Sequence, residues 1–459
     1  MKHMKLFRKD LEGDIYTPIG IFQSIQGKKK FLLESSLKHE QNGRYSFIGA
    51  EPFMEMKSIE DRVVIHQVGQ KEMIREGKFL DIVKEYLPPI TLEDAPFPFL
   101  GGGVGYIGYD LIRQYEDIGP EGIDELNMPD AHLMFYREVI VYDHFTGLIS
   151  IVALHHEDES NFEMKAIKIM NEIAISKQTK IRSTNKQTYS FQPEISQQHF
   201  ENLVNIAKQE IIKGEIFQVV LSQRFKSKFT GDPFQFYRGL RRLNPSPYMF
   251  YVDFEDYQVV GSSPESLIKG DSTYVTTNPI AGTRKRGGNE TEDEALEKDL
   301  LQDEKEIAEH RMLIDLGRND LGRVCEIGSI EISKYMLIEK YKYVMHIVSE
   351  VRGKKLTHLH NTDILASCLP AGTVSGAPKI QAMSIINDLE GIKRNVYAGA
   401  VGYFSYHGSF DFALAIRTMV VKDGKAIIQA GAGIVYDSDP EKEFHETLNK
   451  ARALMEVEA

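Results

Sequence analysis

The stretch GAVGYFSYHGSFDFALAIRTMVVKDGKAIIQAG, residues 399–431, decides the fold of this chain. It predicts three consecutive strands, 399–406, 411–421 and 425–431, with no helix between them. Strands that follow one another so closely pair antiparallel. Residues 1–157 are also typical of short strands joined by polar turns, and paired strands outnumber helix crossovers along the chain. We therefore expect an α+β fold, with mostly antiparallel β-sheets flanked by helices.

Composition limits the kind of protein this can be. The chain has 459 residues, 42% hydrophobic and 27% charged, with a net charge of −12. This balance is typical of a globular protein with a sizeable core, and its sign argues against a nucleic-acid partner. The two cysteines, Cys325 and Cys368, are too few for a disulfide framework and suit a reducing compartment. No signal peptide or apolar stretch of membrane-spanning length is present, so we expect a cytoplasmic protein without membrane contact.

A change in composition divides the chain. Residues 176–194, SKQTKIRSTNKQTYSFQPE, are polar, basic and nearly free of aliphatic side chains, which is typical of a linker. Ser196 is then predicted to cap a helix, and Gly214 to end it. We therefore predict a first domain over 1–175, a linker over 176–195 and a second domain over 196–459.

Two predicted helices carry acidic pairs. The last helix places Glu443 and Glu446 three residues apart, and a long helix predicted over 292–316 does the same with Glu306 and Glu309. Two such pairs facing each other could hold a hard divalent cation, with Mg²⁺ as the natural candidate. The alternative is that both helices simply present charged faces to solvent.

Small residues and two polar side chains suggest an anion site. The turns 278–284, 370–379 and 430–434 are rich in Gly or Pro, so their backbone N–H groups can approach a carboxylate closely. Arg417 stands in an apolar predicted strand, where it either binds a carboxylate, lies on the solvent face of the strand or pairs within the protein. His346 lies in another apolar run, and is either a core residue or a proton carrier beside a substrate.

Several of these motifs together resemble a known family. Ile280–Arg284, Ala371–Lys379, Gln429–Val435 and the Glu443…Glu446 pair are similar to those of the chorismate-utilising enzymes. Among these, the chain most closely resembles the large synthase subunits of the anthranilate synthases, over nearly its whole length and most densely from residue 196 onward. The resemblance implies a tryptophan-binding regulatory domain at the N-terminus, followed by a chorismate-binding catalytic domain.

The resemblance also implies roles for individual residues. It implies Mg²⁺ ligands at Glu309 and Glu446, with Glu306 and Glu443 acting through water. It implies chorismate-binding positions at Gly282, Thr283, Tyr397, Arg417, Gly431, Ala432 and Gly433. It implies that Glu265 is the acid that protonates the leaving hydroxyl, that His346 transfers protons and that Thr283 belongs to the catalytic set. It implies tryptophan contacts at Ser35, Pro247, Tyr248 and Met249.

Two further positions distinguish the related reactions. Aminodeoxychorismate synthases have a nucleophilic Lys where this chain has Ala281, and isochorismate synthases have a water-activating Lys where it has Gln218. Neither Ala nor Gln can take those roles, which leaves external ammonia as the nucleophile. Neither cysteine has the Gly-x-Cys-x-Gly setting of a glutaminase nucleophile. The resemblance therefore implies a partner glutamine amidotransferase subunit in a heterotetramer, feedback inhibition by tryptophan, and the first committed step of tryptophan biosynthesis.

Two alternatives stay open at this point. The chain could be an aminodeoxychorismate synthase component that uses ammonia without the Lys. It could also be a non-catalytic, tryptophan-sensing regulatory subunit.

Overall fold

The computed structural model describes residues 4–35, 43–87, 92, 95–156, 162–175, 188–340 and 344–458. Its strands, in chain order, are β1 (Met4–Glu12), β2 (Phe31–Glu34), β3 (Tyr45–Gly49), β4 (Met54–Ile59), β5 (Arg62–Gln67), β6 (Met73–Glu76), β7 (Gly102–Ile107), β8 (Ala131–Tyr136), β9 (Glu138–Asp143), β10 (Leu148–His156), β11 (Gln192–Pro193), β12 (Gln218–Lys228), β13 (Tyr248–Asp253), β14 (Tyr257–Ser263), β15 (Ser266–Gly270), β16 (Tyr274–Thr277), β17 (Ile280–Lys285), β18 (Glu331–Lys340), β19 (Val344–Lys354), β20 (Gly376–Ala377), β21 (Ala400–Ser405), β22 (Phe410–Leu414), β23 (Thr418–Lys422) and β24 (Lys425–Ile434). Its α-helices are α1 (Pro18–Ser24), α2 (Phe79–Glu85), α3 (Phe162–Ile175), α4 (Gln197–Lys213), α5 (Pro233–Leu243), α6 (Glu290–Gln302), α7 (Glu304–Gly322), α8 (Asn361–Cys368), α9 (Lys379–Glu390) and α10 (Pro440–Met455).

The strands form two large antiparallel sheets. The first sheet has the order β1-β10-β9-β3-β2-β13-β14-β23-β24-β12-β11, with β20 also paired to β12. The second has the order β17-β19-β16-β15-β22-β21-β7-β8-β4-β5-β6, with β18 also paired to β19. Helices α4, α9 and α10 pack against β12 and β24 of the first sheet. The predicted α+β fold, with mostly antiparallel sheets flanked by helices, is confirmed.

Strands from both parts of the chain contribute to each sheet. In the first sheet β2 pairs with β13, with Leu33 opposite Phe250. In the second, β7 pairs with β21. Residues 176–187 of the predicted linker lie outside the described residues, and the division into two domains stays a prediction. The strand pairing shows that the segments before and after the linker both contribute to each of the two sheets.

The main core lies between the two sheets. Aromatic side chains from both contact each other there: the Phe47 and Phe99 rings are 5.7 Å apart, and the Phe99 and Tyr403 rings 4.7 Å. Burying such rings supplies much of the apolar stabilisation of a domain. In the part of the chain that the structure describes, no helix has both the length and the apolar character needed to cross a membrane.

Two predicted elements differ from the observed ones. The single helix predicted over 292–316 is wrong, because the chain breaks at Asp303 into α6 and α7. The Asp303 carboxylate accepts hydrogen bonds from the backbone N–H groups of Lys305 and Glu306, which starts a new helix. The single strand predicted over 411–421 is also wrong, because it divides into β22 and β23 around Arg417.

Candidate active site

A cavity of about 830 Å³ lies among β12, β17, β24, α7 and α10, and we call it the large cavity. It brings together most of the predicted site, although these residues are dispersed along almost 200 positions of the chain. The predicted residues that line it are Glu265, Gly282, Thr283, Glu309, His346, Tyr397, Arg417, Gly431, Gly433, Glu443 and Glu446. This volume suits a small-molecule ligand.

A bulge at Gly282 shapes one wall of the large cavity. Gly282 has φ = +66°, and the register between β17 and β19 shifts there. A Cβ at this position would lie 2.9 Å from the Leu300 side chain, so the bulge requires glycine. The Gly282 carbonyl oxygen lies 2.9 Å from His346 Nδ1, and Thr283 Oγ1 lies 3.1 Å from the same nitrogen. Because a carbonyl oxygen only accepts, the His346 proton is on Nδ1 in the neutral ring.

His346 and Arg417 share a buried electrostatic environment. Burial lowers the pKa of His346 below its ordinary value, and the positive charge of Arg417 lowers it further. The hydrogen bond to the Gly282 carbonyl acts in the opposite direction. His346 is therefore neutral at physiological pH and can exchange a proton through Nε2. It lies half-buried in β19, so the expectation that it stands in an apolar strand is confirmed.

Arg417 occupies an unusual backbone position. It lies in the break between β22 and β23 with φ = +50°, rather than within a continuous strand as the sequence indicated. No carboxylate of the described residues pairs with its guanidinium, which faces the large cavity. Burial lowers the pKa of Arg417, but it stays far above neutrality as for any guanidinium, so this cation can bind a ligand carboxylate.

Glycines on β24 let other side chains reach the large cavity. A Cβ on Gly431 would lie 2.7 Å from the Tyr397 hydroxyl, and one on Gly433 would lie 2.7 Å from Gln218 Nε2. Alternation along β24 explains why Ala432 is not among the lining residues: its side chain is buried on the opposite face of the strand. Ala281 also lines the large cavity, so the two positions that lack lysine, 218 and 281, both border it.

Glu265 enters the wall of the large cavity from the turn after β14. Its backbone carbonyl accepts from Leu414 N–H at 3.0 Å, and its Oε1 accepts from the Thr373 hydroxyl at 3.0 Å. Burial raises the pKa of Glu265 to about 7, although the Thr373 bond and the Lys450 charge lower it. A carboxyl group with this pKa is protonated in a substantial fraction of molecules at neutral pH, as a general acid requires.

The acidic pairs lie on two helices that border the large cavity. Burial raises the pKa of Glu443, and neighbouring Glu446 raises it further against a hydrogen bond from Ser438. Glu446 binds Lys450 at 2.6 Å, and Lys450 also donates to the Gly431 carbonyl at 3.0 Å. The carboxylate oxygens are the donors that Mg²⁺ prefers, so the chemistry of the set fits. Nevertheless, the described residues contain no group of three or more His, Cys, Asp or Glu side chains already arranged around a metal position.

Glu306 is not among the residues that line the large cavity. One of its oxygens lies 3.7 Å from Arg284 Nη1, next to the Gly282 bulge. Burial raises the pKa of Glu306, and the adjacent Glu309 carboxylate contributes. Sequence reasoning also missed two residues, Lys450 and Thr373. The i, i+4 spacing of Lys450 from Glu446 could have revealed the first, whereas no local pattern indicates the second.

A second cavity of about 470 Å³ contains the predicted inhibitor contacts. Ser35 follows β2, Pro247 precedes the partner strand β13, and Tyr248 and Met249 begin it. The Tyr248 hydroxyl donates to Asp411 Oδ1 at 3.0 Å, and burial raises the pKa of Asp411 to about 6. The structure therefore brings the predicted inhibitor contacts together in one pocket.

The two cavities adjoin. Pro264 and Ile280 line both of them, one beside Glu265 and the other beside Ala281. Pro264 and Ile280 therefore form a wall that is common to the two cavities.

Known proteins resemble this chain over its full length. Residues 29–456 match the family model described as chorismate binding enzyme. The anthranilate synthase component 1 of Acetivibrio thermocellus is 44% identical, over 98% of this chain and 94% of that protein. The component 1 of Lactococcus lactis is 43% identical, over 98% and 99% of the two chains.

Solved structures agree with these matches. The crystal structure of anthranilate synthase component I from Streptococcus pneumoniae is 41% identical with a TM-score of 0.82, and the match covers 97% of this chain and 98% of that one. The menaquinone-specific isochorismate synthase of Escherichia coli has a TM-score of 0.73 at 20% identity, covering 99% and 95% of the two chains. That second likeness shows the fold alone.

Proposed function

The chain belongs to the chorismate binding enzyme family, among the anthranilate synthase component 1 enzymes, and from this we propose that it converts chorismate and ammonia into anthranilate and pyruvate. In this reaction ammonia adds at C2 of the ring, the C4 hydroxyl leaves as water and pyruvate is then eliminated. The observation that carries the proposal is the large cavity, in which the Arg417 cation, a carboxyl group with raised pKa and two positions lacking lysine meet.

The choice of nucleophile rests on Ala281 and Gln218. Both line the large cavity, and neither side chain can attack the ring or activate water. Lys450, one of the three lysines that line the cavity, is engaged by Glu446 and the Gly431 carbonyl. The nucleophile therefore comes from solution or from a partner, which favours ammonia.

Substrate binding falls to the cation and the glycine turns. Chorismate has two carboxylates, and Arg417 can bind the enolpyruvyl carboxylate through two parallel N–H groups. The backbone at Gly431 and Gly433 approaches the ligand closely because neither residue has a side chain. Tyr397, whose pKa burial raises to about 12, stays a neutral hydroxyl beside them.

Glu265 supplies the proton for the leaving hydroxyl. Its pKa of about 7 keeps the proton available, yet lets it depart during the reaction. His346 accepts and returns protons at Nε2, because its Nδ1–H is bound to Gly282 O. His346→Ala should lower kcat by roughly 100-fold if it transfers a proton in the slow step, and a full rate in this variant would exclude that role.

Mg²⁺ would be held by Glu309 and Glu446, with Glu306 and Glu443 acting through water. When bound, the cation would neutralise and orient the ring carboxylate. In the structure Lys450 contacts Glu446, so cation binding competes with this ion pair. Removal of divalent cations with a chelator should abolish activity, and Mg²⁺ should restore it.

Regulation and ammonia supply are part of the same proposal. The second cavity, with a volume suited to one amino acid, is where tryptophan would bind and inhibit. Both cysteines are buried, and burial raises the pKa of Cys325 to about 11 and that of Cys368 to about 12, which argues against either as a glutaminase nucleophile. The name component 1 given to the relatives fits a partner amidotransferase subunit that releases ammonia from glutamine.

The test is an assay of the isolated chain with chorismate and Mg²⁺. Anthranilate fluorescence should appear with an ammonium salt and should be absent with glutamine alone. A non-catalytic regulatory subunit would give no product with either nitrogen source. An aminodeoxychorismate synthase component would consume chorismate without releasing pyruvate.

A further inference from the structure

We propose that Thr373 is the positioning residue of the acid: its hydroxyl holds Glu265 Oε1, so that the transferable proton is carried by Oε2. The inference rests on the proposed function, in which Glu265 protonates the leaving hydroxyl. It starts from one contact, the 3.0 Å hydrogen bond from Thr373 Oγ1 to Glu265 Oε1. Within the described part of the chain, Thr373 is the one side chain that forms a hydrogen bond with the Glu265 carboxyl group.

Both partners are anchored by their backbones. Glu265 is fixed by the Leu414 N–H bond to its carbonyl at 3.0 Å and by Ser263, whose hydroxyl accepts from Glu265 N–H at 3.3 Å. The main freedom left to Glu265 is therefore rotation of its side chain. One hydrogen bond from a fixed donor selects among those rotations.

The donor itself sits in a rigid turn. Thr373 lies in the 3₁₀ turn Gly372–Val374, where the Ser375 hydroxyl donates to Ala371 O at 2.8 Å. The buried Arg394 donates to the Val374 carbonyl at 2.8 Å, which fixes the turn from the other side. A Cβ on Gly372 would lie 2.6 Å from Leu316, so α7 also packs directly on this turn.

This pair forms part of the wall between two cavities, together with Leu313. Glu265 and Thr373 line the large cavity, and both also line a small cavity of about 40 Å³ behind it. Without the Thr373 bond the carboxyl group could turn toward the small cavity, away from the substrate. The hydrogen bond therefore keeps the Glu265 carboxyl group directed into the large cavity.

The bond also acts on the proton. A hydroxyl donor stabilises the ionised carboxylate, so its loss raises the acid's pKa and makes it a weaker acid. Around the large cavity, α10 contributes Lys442, Glu443, Glu446 and Lys450. The rest of the wall contributes Lys305, Glu309, His346, Tyr397, Arg417, Asp437 and Asp439, and Asp320 and Cys368 face the small cavity. Substituting Thr373 leaves all of these in place, so a shift in the pH profile reports the hydroxyl itself.

The experiment compares pH profiles of kcat/KM for chorismate at constant free ammonia. In Thr373→Val the alkaline limb should move up by about one pH unit, and the plateau should fall roughly tenfold. Thr373→Ser keeps the donor, and should restore both the wild-type limb and most of the rate. Ser384→Ala removes a hydroxyl on α9 that lines none of the cavities, and should keep the wild-type limb.

Two results would overturn the inference, and they differ. If Thr373→Val keeps the wild-type limb while Glu265→Gln abolishes it, Glu265 is the acid and Thr373 does not position it. If the limb persists in Glu265→Gln, the acid of the proposed function is another group and the inference fails with it.

Discussion

The large cavity and the second cavity share two wall residues but differ in how the chain builds them. The large cavity is lined by residues from Phe217 onward, with charged groups from α7 and α10 and the guanidinium of Arg417. The second combines residues 33–98 with residues from 247 onward, and its lining is richer in apolar and aromatic side chains. The candidate catalytic residues therefore all come from the later segment of the chain, whereas the second cavity forms only where the two segments meet.

The largest expected effect is in the large cavity. Arg417→Ala removes the cation that binds a substrate carboxylate, so kcat/KM for chorismate should fall roughly 1,000-fold. Tryptophan binding, measured by calorimetry, should persist because Arg417 does not line the second cavity. Arg311→Ala is the matched control, since Arg311 is exposed on α7 and outside both cavities. A fall in kcat/KM of less than tenfold in Arg417→Ala would mean that this residue does not bind the substrate carboxylate.

The second effect concerns the acid. Burial raises the pKa of Glu265 to about 7, and a general acid works only when protonated, so activity at constant free ammonia should fall as pH rises above about 7. Glu265→Gln should lower kcat by roughly 100-fold and remove this limb. An undiminished kcat in Glu265→Gln would contradict the assignment.

The third effect belongs to the second cavity. Tyr248→Phe removes the hydroxyl that fixes the Asp411 carboxylate, an anionic partner suited to the ammonium group of an amino acid. The tryptophan concentration for half-inhibition should rise roughly tenfold. Tyr436→Phe is the control, because Tyr436 is exposed and lines neither cavity. Equal inhibition of both variants would place the inhibitor elsewhere.

The smallest effect is at the shared wall. Ile280→Ala shortens a side chain that borders both cavities, so the antagonism between tryptophan and chorismate should change roughly threefold. The measurement is the half-inhibitory tryptophan concentration at low and at saturating chorismate. Val348→Ala alters the second cavity alone and should leave this ratio closer to that of the wild type. Identical ratios in the two variants would mean that the shared wall carries no coupling.

The same contrast explains what the sequence could predict. The antiparallel strands, the acidic pairs and the glycines at 431 and 433 follow local patterns, and the structure brings both glycines and three of the four glutamates, all except Glu306, to one cavity. The left-handed Arg417 could not be foreseen, because its neighbours favour a continuous strand. Asp303 caps α7 in the middle of a charged run, and no local pattern distinguishes it from the neighbouring acidic residues as a helix cap.

Long-range pairing was also beyond local patterns. The β2–β13 pair joins residues more than 200 positions apart, and it builds the wall of the second cavity. The Thr373–Glu265 contact depends on the geometry of two distant turns. Only the resemblance to a known family pointed to Ser35 and Tyr248 together.

The central claim is that ammonia attacks chorismate in the large cavity and pyruvate leaves. The most direct measurement gives the isolated chain chorismate, Mg²⁺ and ¹⁵N-labelled ammonium, and quantifies the aromatic amine and pyruvate by mass spectrometry. If the chain catalyses this reaction, the products are ¹⁵N-labelled anthranilate and an equal amount of pyruvate. An aminated product that retains the enolpyruvyl group, with no pyruvate released, would contradict it.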